Sequence, residues 1–329
     1  MDNLQQLFQD FASLKVAVIG DVMLDTYMWG SVERISPEAP VPIVSLQSRE
    51  LRIGGAGNVA LNVRSLGATA FVLSVTGDDA DAARLHDLFS EKKINSSYCI
   101  RSANRITTNK MRVISRNQHM MRLDSEITND LDAEDQARLI DLFEKFVQKE
   151  KPDVVILEDY NKGVLTQPVI QVIISICKQA GIITAVDPKR RNFFEYRGVD
   201  IFKPNLKEVR EALNFLFTEA GLLLLQDIHS ELSNLLHHRI SFITLSEKGV
   251  FYQEGKESAI IPSHIRNISD VSGAGDTVIG VAALVYAATK NVHLMAEIAN
   301  IAGGLVCEEV GTVAIDRQRL LHECELLLT

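Results

Sequence analysis

Asp276 ends the run Asp270-Val271-Ser272-Gly273-Ala274-Gly275-Asp276 and precedes the apolar stretch Val278-Ile279-Gly280-Val281-Ala282-Ala283-Leu284-Val285. A stretch apolar on most sides predicts a buried helix. Its N-terminus would aim free amides at whatever lies in front, which suits a phosphoryl group carrying developing charge. Asp276 falls in the first turn, where the helix end favours an ionised carboxylate, placed to take a proton from an attacking hydroxyl. On residue type and position alone a helix-capping aspartate is the simpler explanation. A second glycine turn, Gly54-Gly55-Ala56-Gly57-Asn58, leads into another helix. There Asn58 suits either sugar hydroxyls or the helix end, and a glycine pair by itself is an ordinary turn. No GxxxxGK[ST] occurs, and Asp21 follows Gly20 where a dinucleotide fold needs its glycine fingerprint, so a P-loop enzyme and a Rossmann dehydrogenase are disfavoured.

Short apolar runs predict the strands that position these residues: 15–20, 70–75, 153–157, 182–186, 199–202 and 240–245. Helical patterns lie between them at 58–66, 132–148, 167–180 and 207–217. Such alternation predicts an α/β fold with a doubly wound, mostly parallel sheet. Regions 26–53 and 96–124 break the rhythm and predict a small antiparallel β lid. Ligands in such sheets bind beyond the carboxyl ends of the strands. Polar residues follow five strands there: Asp21 and Asp25; Glu158, Asp159 and Lys162; Asp187 and Lys189; Lys203, Asn205 and Glu208; Ser246 and Gly249. Polar loops are common singly, and less so at five successive ends.

The 329 residues carry a net charge of −9, which excludes a broad nucleic-acid or anionic-membrane surface. Four scattered cysteines form no CxxC pair. With an N-terminus unlike a signal peptide and no long apolar span, they predict a cytoplasmic protein.

The glycine run at 54–58 and the run 270–277 together resemble the two signatures of the ribokinase-like (PfkB) carbohydrate kinases, in their order and separation. Similarity extends to the D-glycero-D-manno-heptose 7-phosphate kinases of lipopolysaccharide precursor synthesis. It is carried by Gly20-Asp21-Val22-Met23-Leu24-Asp25, the run 34–42, Ser115-Arg116-Asn117-Gln118, Asp159-Tyr160-Asn161-Lys162-Gly163, Val186-Asp187-Pro188-Lys189 and Lys203-Pro204-Asn205. Asn109-Lys110-Met111-Arg112 departs slightly from the family pattern but keeps Lys110 and Arg112.

The resemblance implies ATP and Mg²⁺ as cofactors, Asp276 as base, and Gly273, Ala274 and Gly275 as the anion hole. It implies Asn205 and Glu208 as the Asn-x-x-Glu pair organising Mg²⁺ and the ATP phosphates, with Glu208 nearest the metal. Ser246 and Gly249 would meet the nucleotide, and Asp25, Gly55, Asn58 and Asp159 the sugar. Lys110, Arg116, Lys162 and Lys189 are the candidate cations for the sugar phosphate, whereas Arg190 and Arg191 are expected as surface charges. One kinase domain over 1–329 is expected, in a homodimer. No His-x-Gly-His occurs, so the downstream nucleotidyltransferase is expected to be a separate protein. The rival expectations are a ribokinase or fructokinase, and a sugar-phosphate-binding regulator without catalysis.

Overall fold

The computed structural model describes residues 2–116, 118–215 and 220–328. In chain order the elements are α1 (Asp2–Asp10), β1 (Lys15–Gly20), β2 (Val22–Ile35), β3 (Pro42–Gly55), α2 (Ala56–Ser65), β4 (Thr69–Gly77), α3 (Ala80–Glu91) and β5 (Asn95–Ser102). Then follow β6 (Thr108–Ser115), β7 (Gln118–Ser125), α4 (Ala133–Glu150), β8 (Val154–Glu158), α5 (Gln167–Ala180), β9 (Ile183–Asp187), β10 (Ile201–Phe202) and α6 (Leu206–Leu213). The chain closes with α7 (Leu222–Leu236), β11 (Ile240–Thr244), β12 (Val250–Glu254), β13 (Glu257–Ile261), α8 (Ala274–Thr289), α9 (Val292–Val306) and α10 (Arg317–Leu327).

Nine strands form the main sheet in the order β13-β12-β11-β10-β9-β8-β1-β4-β5. It is parallel from β11 to β5, and β12 and β13 add an antiparallel edge. The strands read as unbroken apolar runs because both faces are covered. Val16 and Val18 of β1 join one buried cluster with α2, α8 and α9, while Ala17 and Ile19 join the other with α4, α5 and α7. Local signals set the helix ends: Thr166 accepts the Val169 amide at the start of α5, and Gly181 closes it in the left-handed conformation. The strand order reverses at β1, which lies between β4 and β8, and that reversal opens the crevice at the carboxyl ends.

The lid is a four-stranded sheet, β3-β2-β6-β7. Its two hairpins, β2–β3 and β6–β7, are antiparallel and meet through a parallel pairing of β2 with β6. Two boundaries differ from expectation. Residues 96–102 belong to β5, the edge of the main sheet, because they continue the parallel ladder from β4. The first lid hairpin is longer than 26–53, running from Val22 to Gly55, so Asp25 stands on a lid strand and not in a loop. The fourth expected helix ends at Leu213, before Asn214 in the left-handed region; the rest of its expected span includes residues 216 and 217, outside the described residues, as is Asn117.

Candidate active site

Asp276 is the third residue of α8 and is buried. Gly273 caps that helix with φ +79 and has no side chain to bond its first amides; the Ala274 amide meets the Val271 carbonyl at 3.3 Å. Asp276 is therefore not the capping residue. Instead Tyr160 donates its hydroxyl to Oδ1 at 2.7 Å, and Asn58 donates Nδ2 to Oδ2 at 2.8 Å. Both carboxylate oxygens are thus aimed by side chains from other elements. The carboxylate ionises less readily than the helix end alone would imply, though a pKa of about 6 still leaves it mostly charged at neutral pH. Burial raises the Asp276 pKa to about 6, and it outweighs the two hydrogen bonds that favour the charged form.

Asn58 is likewise the third residue of its helix, α2, which also begins at a glycine without a side-chain cap. Gly55 has φ +59, and a Cβ there would lie 2.3 Å from the Asp21 carbonyl oxygen, so only glycine lets the lid strand turn into α2. A Cβ on Gly273 would lie 2.8 Å from Asn58 Nδ2 and 3.1 Å from Thr312. The two glycine turns therefore meet. Thr312 continues the contact outward, donating its hydroxyl to Asp25 at 3.3 Å. Asp25 also pairs with Arg112 at 2.6 Å.

On the other side of Asp276 is a charged cluster. Asp187 pairs with both Lys189 and Lys203 at 2.8 Å, and Lys189 reaches Glu208 at 3.1 Å. These ammonium groups hold Asp187 below the usual carboxylate range despite burial. Glu158, paired in register with Asp187, is fully buried. Burial and the neighbouring carboxylates push its pKa well up. Glu208 closes a capping box on α6: its Oε2 accepts the Asn205 amide, and Asn205 Oδ1 accepts the Glu208 amide, each at 2.8 Å.

A cavity of about 880 Å³ opens in front of α8. Asp276, Gly273, Ala274, Gly275, Asn205, Ser246, Gly249 and Lys189 all line it, so most of the expected catalytic and nucleotide-side residues share one wall. Lys110 approaches the Tyr160 ring at 5.6 Å, as does Lys189. Burial and, after it, the nearby Lys162 charge lower the Lys110 pKa, against the Asp25 and Glu126 carboxylates.

Other expected residues are committed elsewhere. Lys162 pairs with Glu126 at 2.6 Å. Asp159 accepts from Tyr196, Asn192 and the Asn161 amide, so it braces its own loop and is not among the cavity-lining residues. Arg116 stands exposed at the β6–β7 turn, six residues beyond Lys110, or about 20 Å along the strand, and is not brought to the cavity. Arg191, expected at the surface, pairs there with Asp130.

Sequence reasoning assigned no role to Tyr160, Lys203 and Thr312. The first two stood inside quoted motifs at strand ends, which was a usable signal. Thr312 carried none, since it arrives from a distant loop.

A deep crevice at the switch point, a glycine-capped buried helix facing it and an aimed carboxylate at that helix end define a phosphoryl-transfer class of site. The chain belongs to the pfkB family of carbohydrate kinases, whose family model matches residues 13–318. It is 37% identical over 327 residues to the bifunctional protein HldE of Syntrophotalea carbinolica, covering 98% of this chain and 65% of that protein. Similarity to the HldE of Aliarcobacter butzleri is 38% over 297 residues, covering 90% and 61% respectively. The chain thus spans less than two thirds of the length of these relatives. Among solved structures, phosphofructokinase-2 of Escherichia coli in complex with fructose-6-phosphate shares the fold with a TM-score of 0.76 at 16% identity, over 95% of this chain and 99% of that one. Arabidopsis thaliana ribokinase complexed with ribose and ATP does so with a TM-score of 0.72 at 15% identity, over 94% and 98%. No helix among the described residues is long and apolar enough to cross a membrane.

Proposed function

We propose that this protein transfers the γ-phosphoryl group of ATP to O1 of D-glycero-D-manno-heptose 7-phosphate, giving the 1,7-bisphosphate. The observation that carries the transfer chemistry is the doubly held Asp276 carboxylate at the open N-terminus of α8. In this role Asp276 accepts the proton of the attacking hydroxyl, while Asn58 and Tyr160 keep its oxygens in place. The first amides of α8 receive charge on the transferring group, so catalysis is chiefly positioning and electrostatics. Closure of the lid would exclude water as a competing acceptor.

Support for a phosphorylated acceptor comes from Lys110, whose ammonium stands 5.6 Å from the ring of Tyr160, the residue that holds Asp276. The choice of heptose rests on the sequence resemblance. ATP is the proposed donor, in the cavity lined by Ser246, Gly249 and Asn205. Mg²⁺ fits the donor set, since Asp187 and Asp276 line that cavity and the buried Glu158 carboxylate beside them has no hydrogen-bond donor among the described residues. When bound, the ion would neutralise phosphate charge.

The proposal extends to a homodimer and to a nucleotidyltransferase step acting on the product. Apolar side chains exposed on the lid, Leu46, Met121 and Leu123 among them, support the first. Sedimentation tests it, and a monomer at micromolar concentration would end it.

A substrate panel under Mg-ATP tests the activity. Heptose 7-phosphate should give a kcat/KM at least ~100-fold above ribose or fructose, a gap of about 3 kcal/mol. Equal use of an unphosphorylated sugar would overturn the acceptor, and no ADP release with any sugar would overturn the kinase.

A further inference from the structure

We propose that Arg52 is a positioning residue for the transfer: from lid strand β3 it fixes, through the loop 310–312, the turn that opens α8. This rests on the kinase reading of that turn given above. Arg52 is itself held before it reaches the loop. Glu50 accepts its Nε at 2.7 Å and its Nη2 at 3.1 Å, and the Tyr27 ring centre lies 4.6 Å from the guanidinium. That leaves Nη1, which donates to the Val310 carbonyl at 2.9 Å and the Thr312 carbonyl at 3.3 Å. Tyr27 joins the grip, its hydroxyl oxygen accepting the Thr312 amide at 3.2 Å. Gly311, between the two gripped carbonyls, has φ +75, and a Cβ there would lie 2.7 Å from both Nη1 and the Tyr27 oxygen. Only glycine lets the loop seat this close.

The far side of the same loop holds the turn. Gly311 donates its amide to Asp270 Oδ2 at 2.9 Å. Asp270 Oδ1 in turn accepts the Ser272 amide at 3.0 Å and the Ser272 hydroxyl at 2.9 Å. Ser272 directly precedes Gly273, the open cap of α8. The Val310 carbonyl and the Gly311 amide belong to one planar peptide unit. Arg52 and Asp270 therefore hold opposite ends of a single rigid group, and neither can shift without moving the other. Thr312 repeats the arrangement: its carbonyl meets Arg52, and its side-chain methyl would lie 3.1 Å from a Cβ on Gly273.

The turn is where placement matters. Val271, Gly273 and Gly275 line the cavity with Asp276. Donors stabilise developing charge only when aimed at it, and a misplacement of about 1 Å can cost ~10²-fold in rate. An arginine that merely glued the lid down would need no Asp270 in line behind the loop. Here the path from lid to turn is continuous, and each step is a hydrogen bond or a close contact of buried or half-buried groups. A lysine would not serve as well, because its single ammonium lacks the planar fork that engages Glu50 and the loop together.

Trp29, the one tryptophan of the chain, stacks on Tyr27 with ring centroids 6.4 Å apart, so its fluorescence reads the lid end of the path. Mg-ATP added without sugar should change Trp29 emission in the parent. Arg52→Gln should lose that change while its calorimetric ATP affinity stays within ~3-fold, under 1 kcal/mol. In turnover, Arg52→Gln and Asp270→Asn should each lower kcat ~10-fold, and the double variant no further, because both break one path. A ~100-fold loss in the double variant, the product of independent effects, overturns the link. So does ATP binding to the parent without a Trp29 response. Should Arg52→Gln not fold, Arg52→Lys replaces it, and the same losses are required. A Trp29 response without ADP release from any sugar would keep the link and lose the kinase. Full turnover in the folded Arg52 variant would lose the link and keep the kinase.

Discussion

Helices α8 and α6 both start at the crevice, and the chain finishes their N-termini in opposite ways. At α6 the start is closed on itself, with Asn205 and Glu208 satisfying each other's amides and Lys189 held on the spare oxygen. At α8 the start is a glycine with no side-chain cap; the Ala274 amide meets the Val271 carbonyl, and the residues of the first turn line the cavity. A closed end contributes stability and presents little to a ligand. An open end gives up about 1 kcal/mol of capping and keeps its partial positive charge available. Both stretches carry expected site residues, yet of the two only α8 has an uncapped end on the cavity, which is why the proposed function assigns the transfer chemistry to α8 and a supporting part to α6.

The largest expected effect lies at the open end. Asp276→Asn should lower kcat by about 10²–10⁴-fold, the range for a general base, with ATP affinity kept within a few-fold by calorimetry. Near-normal turnover would remove Asp276 from its role and much of the contrast with it. The same variant sharpens the comparison through stability. The folded-state pKa of Asp276 is raised from 3.8 to about 6. The folded protein therefore holds this proton more tightly than the unfolded chain. Stability from this group is complete below pH 3.8 and is lost as pH rises through 6. Asn carries no such charge. In EDTA, Asp276→Asn should be more stable than the parent by about 3 kcal/mol at pH 8, with the gap closing toward pH 4. Urea denaturation at the two pH values measures it, and a variant less stable than the parent at pH 8 would contradict the burial cost.

Gly273→Ala should act next in size. A methyl at φ +79 is strained, and it would lie 2.8 Å from the Asn58 Nδ2 that holds Asp276. The expected loss is about 1–3 kcal/mol of stability. Turnover should fall ~10-fold as Asn58 is displaced, equivalent to about 1.4 kcal/mol. A stable variant with full turnover would mean that the two glycine turns need not touch.

The difference in legibility follows the same physics. The sheet was legible because β1 and β8 are apolar without interruption, a pattern dictated by cover on both faces. The open end of α8 was legible because glycine spacing is local. How readily Asp276 ionises was not, since it depends on burial by the folded chain set against hydrogen bonds from Asn58 and Tyr160, 218 and 116 residues away. Arg116 misled because nearness in sequence to Lys110 conceals the length of an extended strand. The lone carboxylate of Glu158 was invisible for a further reason: the lack of a donor is a property of everything packed around it.

Asn205→Ala probes the closed end and should have the smallest effect. It removes the acceptor for the Glu208 amide, and N-cap losses of this kind cost about 1 kcal/mol. Glu208 would keep Lys189 but lose the geometry that presents it, so the Lys189–Asp187 pair should loosen. We expect a rise in the ATP KM of a few-fold, in proportion to about 1 kcal/mol, with kcat within two-fold of the parent. Steady-state kinetics with urea denaturation separates the two terms. A kcat loss approaching that of Asp276→Asn would place the α6 end within the transfer machinery, because support residues shift affinity while groups acting on the transition state shift turnover.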